Sequence, residues 1–291
     1  MPSIGLLRLA MTILGIIMGL LGPLAYYEIA RRANIGSIWR DLRLLLLYSA
    51  AGLSFLALGA GWLDLSTLVT SVVVLLVIFI ALGIVLEKRS QVMLVGLGDE
   101  VVEARLLRRR GSATAFSFMG TGNIYVSEDF MYVLEPGELL AVIAHEKGHT
   151  VALQPLSPRL VNSVLAVISV AIAMGSINLL LSPMIPEKIL GILVLLAAWG
   201  LWVTYNWAWE SLADIYSLTK TGVAAYTALQ RITGAAPQPL SLRDLYYDFI
   251  RSMRPRRVKG GLFLVNPHPR PETRLYIMQR LFQQLRERYY L

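Results

Sequence analysis

Leu139-Leu140-Ala141-Val142-Ile143-Ala144-His145-Glu146-Lys147-Gly148-His149 is an apolar run ending in two histidines four residues apart, with a glutamate beside the first. The apolar residues predict a helix, opened by Pro136 in its first turn. On a helix, positions i and i+4 share one face about a turn apart, so both imidazoles can reach a single tetrahedral metal ion. Glu146 then points at the open coordination position, where it can take a proton from an attacking water. The chain has three histidines in all, and two of them stand here. Gly148 costs a helix interior about 1 kcal/mol relative to alanine, which points to close packing at a site.

Outside this helix the composition is that of a membrane protein. The 291 residues are 56% hydrophobic and 16% charged, against about 25% charged in ordinary soluble proteins. Five runs lack Asp, Glu, Lys and Arg: Leu9 to Tyr27, Leu44 to Leu63, Leu65 to Leu86, Leu160 to Pro186 and Ile189 to Trp209. Each approaches or exceeds the roughly 20 residues that cross a hydrocarbon core as a helix. Arg31, Arg32, Arg40 and Arg43 lie between the first two runs, and most other basic residues lie in 87–159 or beyond Trp209. Only Arg8 and Lys188 fall on the opposite side. Lys and Arg favour cytoplasmic loops, so the N-terminus is expected outside and both hydrophilic regions in the cytoplasm, in a multi-pass protein of the cell membrane. Positive charge is concentrated after the first run, at Arg31 and Arg32, rather than before it, which predicts an anchor and not a cleaved signal. The net charge of +8 is therefore an orientation signal with the lipid bilayer as partner, and no motif points to nucleic acid. The absence of cysteine excludes disulfides, thiolate metal sites and a cysteine nucleophile.

The expected fold class is mainly α: a polytopic membrane protein of about five transmembrane helices with a cytoplasmic α+β part split by a membrane hairpin. Residues 1–86 form the N-terminal membrane region with three spans, 87–158 the first cytoplasmic half, 159–209 the hairpin and 210–291 the second half. Val101 to Arg110 reads as a short basic helix, and Thr114 to Val126 as extended chain turning at Gly120 and Gly122. Leu242, Leu245, Tyr246 and Phe249 mark one helix of the second half, and Leu275, Met278, Leu281, Phe282 and Leu285 another.

Two histidines require a third protein ligand. The later glutamates are Glu187, Glu210, Glu272 and Glu287, and topology puts Glu187 on the wrong side. Glu210 directly follows the fifth run as His149 shortly precedes the fourth, so both stand at the same membrane boundary. That favours Glu210. Asp214, one turn further, is placed to accept the second ring N–H of a ligating histidine. His268, in Asn266-Pro267-His268-Pro269, is the rival third ligand or a residue lining the site. Arg274 has a site carboxylate, a developing oxyanion or a surface acid as its possible partners.

Glu138 to His149, then Glu210-Ser211-Leu212-Ala213-Asp214, then His268-Pro269 with Arg274, together resemble the HtpX family of membrane zinc metalloproteases, relatives of the type I CAAX prenyl proteases. Thr114-Ala115-Phe116-Ser117-Phe118 followed by Gly120 resembles the family's stretch before the metal helix, with Thr114 where Asn is usual. The resemblance implies a gluzincin-type catalytic domain with one Zn2+ per chain on His145, His149 and Glu210. It implies Glu146 as catalytic base, Asp214 as support, and a role in quality control, cutting damaged membrane proteins under stress. Three spans before the catalytic part, where the family has two, depart from the pattern and bear on the extra helix rather than the chemistry. A polypeptide substrate is expected as an extended strand along an edge near Phe116, Phe118 and Gly120, with His268 and Arg274 as oxyanion candidates. Competing classes fit less well. A prenyl-peptide protease has more spans and an enclosed chamber, a signalling protease calls for an outer sensor domain where the loops are short, and a transporter has ionisable residues within its spans. A non-catalytic scaffold leaves the histidine pair without a role.

Overall fold

The computed structural model describes residues 2–61, 65–108, 114–117, 123–152, 154, 158–253, 255–257, 263–265 and 268–290. The chain begins with three long helices, α1 (Pro2–Arg31), α2 (Ile38–Gly59) and α3 (Leu65–Lys88). Strands β1 (Ser90–Leu97), β2 (Glu100–Leu107), β3 (Ala115–Ser117) and β4 (Ile124–Ser127) follow, then α4 (Asp129–Val133) and α5 (Pro136–Val151). A second pair of long helices, α6 (Pro158–Leu181) and α7 (Ile185–Thr221), leads to α8 (Val223–Thr233) and α9 (Leu242–Met253). The short pair β5 (Pro255–Arg257) and β6 (Phe263–Val265) precedes α10 (Pro271–Tyr290).

Among the described residues, four helices are long and apolar enough to cross a membrane: Gly5–Arg31, Ile38–Gly59, Val161–Leu181 and Ile185–Thr221. The third apolar run also forms a helix, the 24-residue α3, with Val73, Val74, Val77 and Ile78 exposed. On α1 the exposed apolar stripe is Ile13, Ile17, Leu20 and Leu24. Such surfaces suit lipid and would be costly in water.

Helix α7 organises the bundle. Its 37 residues make a rod of about 55 Å, well beyond the roughly 30 Å of hydrocarbon. Exposed apolar side chains end at Leu196, and no residue from Ala197 to Leu218 is exposed. Helix α1 packs along it through small residues, as membrane helices do when backbones approach closely. A Cβ at Gly19 would overlap the carbonyl of Ala197, and one at Gly200 would overlap the carbonyl of Gly19. Pro23 leaves that Gly19 carbonyl without its intrahelical N–H, so the kink-prone turn is the one pressed against α7. Further along, the hydroxyls of Tyr26 and Ser211 share a hydrogen bond of 2.8 Å.

The sheet has the order β1-β2-β4-β3, with β2 parallel to β4 and the other pairs antiparallel. It covers one side of α5, where Leu97, Val102, Ala104, Ile124 and Val126 bury Ile143 and Ala144. Residues 100–107 thus form a strand, correcting the short helix expected over Val101 to Arg110. Val102 and Ala104 face inward while Val101 and Glu103 are exposed, a period of two. Gly98, at φ 61°, and Asp99 make the two-residue connection between Leu97 and Glu100, a Gly-Asp hairpin signal that outweighs the basic end of the segment. The extended reading of Thr114 to Val126 matches β3 and β4, whereas Phe118, Gly120 and Gly122 lie outside the described residues.

Gly19→Val is expected to push α1 from α7 and cost about 1–3 kcal/mol or more, seen as a lower melting temperature in detergent. Gly5→Ala, with nothing within 4 Å of its added methyl, is expected to leave that temperature nearly unchanged.

Candidate metal centre

Helix α5 begins with Pro136 in its first turn and a reciprocal capping box between Glu135 and Glu138, which satisfies N–H groups that a helix start otherwise leaves open. His145, Glu146 and His149 follow in its last turns. Gly148 faces α7: a Cβ there would lie 2.7 Å from the Cα of Ala213 and 3.1 Å from the Cβ of Tyr216. The packing predicted from the glycine is therefore a helix crossing, and it sets Glu210 and Asp214 of α7 opposite the two histidines. Ser217 closes the crossing by donating to the Ala141 carbonyl at 2.7 Å.

Nε2 of His145 lies 3.4 Å from Oε2 of Glu210, and Nε2 of His149 lies 3.4 Å from Oε1. Donor atoms of these three residues all fall within 4.8 Å of one another. Ligands about 2.0–2.2 Å from a tetrahedral ion stand roughly 3.3–3.6 Å apart, so the donor set and its spacing fit a divalent metal with nitrogen and oxygen ligands. Behind His145, Nδ1 lies 2.9 Å from Oδ1 of Asp214. Arg274 grips Asp214 with two hydrogen bonds of 2.7 and 2.6 Å and stands 3.4 Å from Oε2 of Glu210. His268, half exposed, places Nδ1 2.9 Å from Oε1 of Glu210. Of the other glutamates considered, Glu187 stands at the far end of α7, and Glu272 and Glu287 are on α10, outside the convergent set.

Electrostatics separate the roles. Burial pushes the Glu146 carboxyl above its ordinary range, an effect that neighbouring His145 only partly offsets. Burial also pushes His149 down to about 3, which keeps it neutral and able to ligate. Burial acts the same way on His145, but Asp214 and Glu210 outweigh it and raise the ring to about 10. A metal ion at Nε2 therefore competes with a proton there. Arg274 is held charged, its desolvation overcome chiefly by Asp214.

The site opens into a cavity of about 600 Å3 that Phe116, Ser117, Glu146, His268 and Arg274 help to line. Strand β3 is the sheet edge on this side, and Phe116 stacks on Tyr125 with centroids 5.4 Å apart. The sequence reading did not single out Trp209, which lies over His149 with ring planes 12° apart. Its signal was present in the aromatic spacing of Trp202, Tyr205 and Trp209 on one helix face.

A family profile described as Peptidase family M48 matches residues 66–281, a stretch that includes α5, α7 and most of α10. Comparisons with curated proteins and with solved structures gave no match.

A histidine whose pKa is raised on folding stabilises the fold fully below about 6.5, and that contribution disappears as pH climbs towards about 10. Chelator-treated protein is accordingly expected to melt at a lower temperature near pH 9 than near pH 7, with Asp214→Asn flattening the slope. A flat wild-type profile would mean that His145 does not hold this proton.

Proposed function

The chain belongs to peptidase family M48, a family of metal-dependent peptide-bond hydrolases, and on that footing we propose that it is an HtpX-like zinc metalloendopeptidase of the membrane. The observation that carries this reading is the convergence of His145 and His149 of α5 with Glu210 of α7, itself a candidate span, beside the buried Glu146. In this proposal one Zn2+ per chain is held by His145, His149 and Glu210. When bound, zinc supplies the positive charge that polarises the scissile carbonyl and acidifies a water.

The chain's own residues do the rest. An extended polypeptide adds to the edge of β3 at Phe116, where main-chain hydrogen bonds tolerate many sequences. Glu146 takes the proton of the attacking water and passes it to the leaving amine, a task suited by a carboxyl that burial has pushed upward. Asp214, clamped by Arg274, holds the His145 ring in the tautomer that leaves Nε2 free. His268 and Arg274 border the cavity as donors for the developing oxyanion.

The substrates we propose are misfolded or damaged membrane proteins, cut at the cytoplasmic face of the cell membrane as quality control under stress. Support comes from two features: the basic loops set the orientation, and Glu210 lies on α7 beside Ser211, which bonds to Tyr26 of α1 just beyond the lipid-facing Leu24. On this reading residues 87–158 and 210–291 are two halves of one catalytic domain, threaded by the 159–209 hairpin and anchored further by 1–86.

Purified protein in detergent is expected to contain about one zinc per chain and to cleave casein. Glu146→Gln should keep the zinc and lose at least about 100-fold in cleavage rate. Zinc content far below one in the wild type, or undiminished cleavage by Glu146→Gln, would refute the assignment.

A further inference from the structure

His145 and His149 leave the same face of α5, but their rings are held by different means. Asp214 stands behind His145, 2.9 Å from Nδ1. Among the described residues neither Nδ1 makes a hydrogen bond of good geometry, but no acid pairs with Nδ1 of His149, whose ion-pair contact is Glu210 at Nε2. An indole lies against the His149 ring instead. Trp209 is nearly parallel to the imidazole, with centroids 5.8 Å apart and planes 12° apart.

That indole belongs to a column. Trp209 stacks on Tyr205 at 5.6 Å and 24°, and Tyr205 on Trp202 at 6.3 Å and 15°. Positions 202, 205 and 209 follow helical spacing, so the rings rise along one face of α7. Tyr205 is 3% exposed, and its hydroxyl donates to Oδ1 of Asn162 on α6 at 2.7 Å. A second membrane helix thus pins the column in the middle.

We propose that Trp209 is a positioning residue for His149, and that the stack anchored by Tyr205 and Asn162 sets the plane of this imidazole. The inference rests on the reading of the site as a metal centre. An imidazole coordinates through a lone pair lying in its ring plane, so a ligating ring must be held against rotation about its last side-chain bond. A hydrogen bond from the second nitrogen usually provides this. Aromatic rings at these separations favour particular relative orientations, and the face of Trp209 leaves His149 the plane in which Nε2 meets Glu210. Metal affinity then depends on how α6 and α7 pack within the membrane, through side chains that never touch the metal.

The test uses the full chain in detergent, stripped of metal, with zinc titrated against a competing chelator and Co2+ uptake followed through its visible ligand-field bands. Trp209→Leu keeps apolar bulk and removes the ring; Trp209→Phe keeps a ring; Tyr205→Phe removes only the hydroxyl that reaches Asn162. Trp209→Leu is expected to lose at least about 10-fold in zinc affinity and to shift the Co2+ bands, Trp209→Phe to stay within about threefold of wild type, and Tyr205→Phe to fall between them. Wild-type affinity and spectrum in Trp209→Leu, or equal losses in the Leu and Phe variants, would overturn the proposal. Should Trp209→Leu fail to fold, as judged from its melting temperature, Tyr205→Phe decides, and an unchanged affinity there overturns it. A wild type that takes up no zinc or Co2+ would overturn the metal centre itself and this inference with it; uptake with indifferent variants removes this inference alone.

Discussion

Helices α5 and α7 approach until a Cβ at Gly148 would stand 2.7 Å from the Cα of Ala213, and the candidate centre depends on that approach. A side chain at this position would force the helices apart, and Glu210 could no longer face Nε2 of both histidines at 3.4 Å. The glycine weakens α5 by about 1 kcal/mol. Packing on both sides of the helix offsets this: the sheet covers Ile143 and Ala144, and Ser217 of α7 holds the Ala141 carbonyl. The crossing is therefore set by van der Waals contact, which tolerates little change in volume.

Once the helices are that close, their charges must balance out of water. An isolated buried ion costs several kcal/mol, and an arrangement of alternating sign with good hydrogen bonds is the usual remedy. His145, Asp214, Arg274 and Glu210 form such an arrangement. The guanidinium fork suits Asp214, because two parallel bonds match the two carboxylate oxygens. Glu146 forms none of these ion pairs. Burial is the largest influence on its carboxyl and no ion pair among the described residues cancels it, so its proton affinity is raised, as suits its task in the proposed reaction.

The same α7 joins this chemistry to the bilayer. Its N-terminal part exposes Ile189, Ile192, Leu193 and Leu196, whereas its C-terminal part is enclosed and carries Glu210 and Asp214. With no break between the two parts, the rotation of the helix in its bundle, fixed by Gly19, Gly200 and the Tyr26–Ser211 bond, also fixes where the two acids point.

Much of this was legible in the sequence. The uncharged runs mark the long helices because hydrocarbon leaves the backbone few alternatives, and the spacing of His145 and His149 marks a shared helix face because 3.6 residues make a turn. Glu210 could be singled out since topology alone places it at the right boundary. The β1–β2 hairpin was misread: a basic tail masked the alternation of Val102 and Ala104 and the Gly98 turn, and strand pairing is decided by partners distant in the chain. Sequence spacing could likewise place Asp214 one turn from Glu210, yet not show that Arg274 would clamp it or that His268 would reach Glu210. Nor could it seat Trp209 against His149. Local periodicity determines which residues share a helix face, whereas the distance and rotation between helices arise from side-chain packing across the whole bundle, so only the tertiary structure decided how these groups meet.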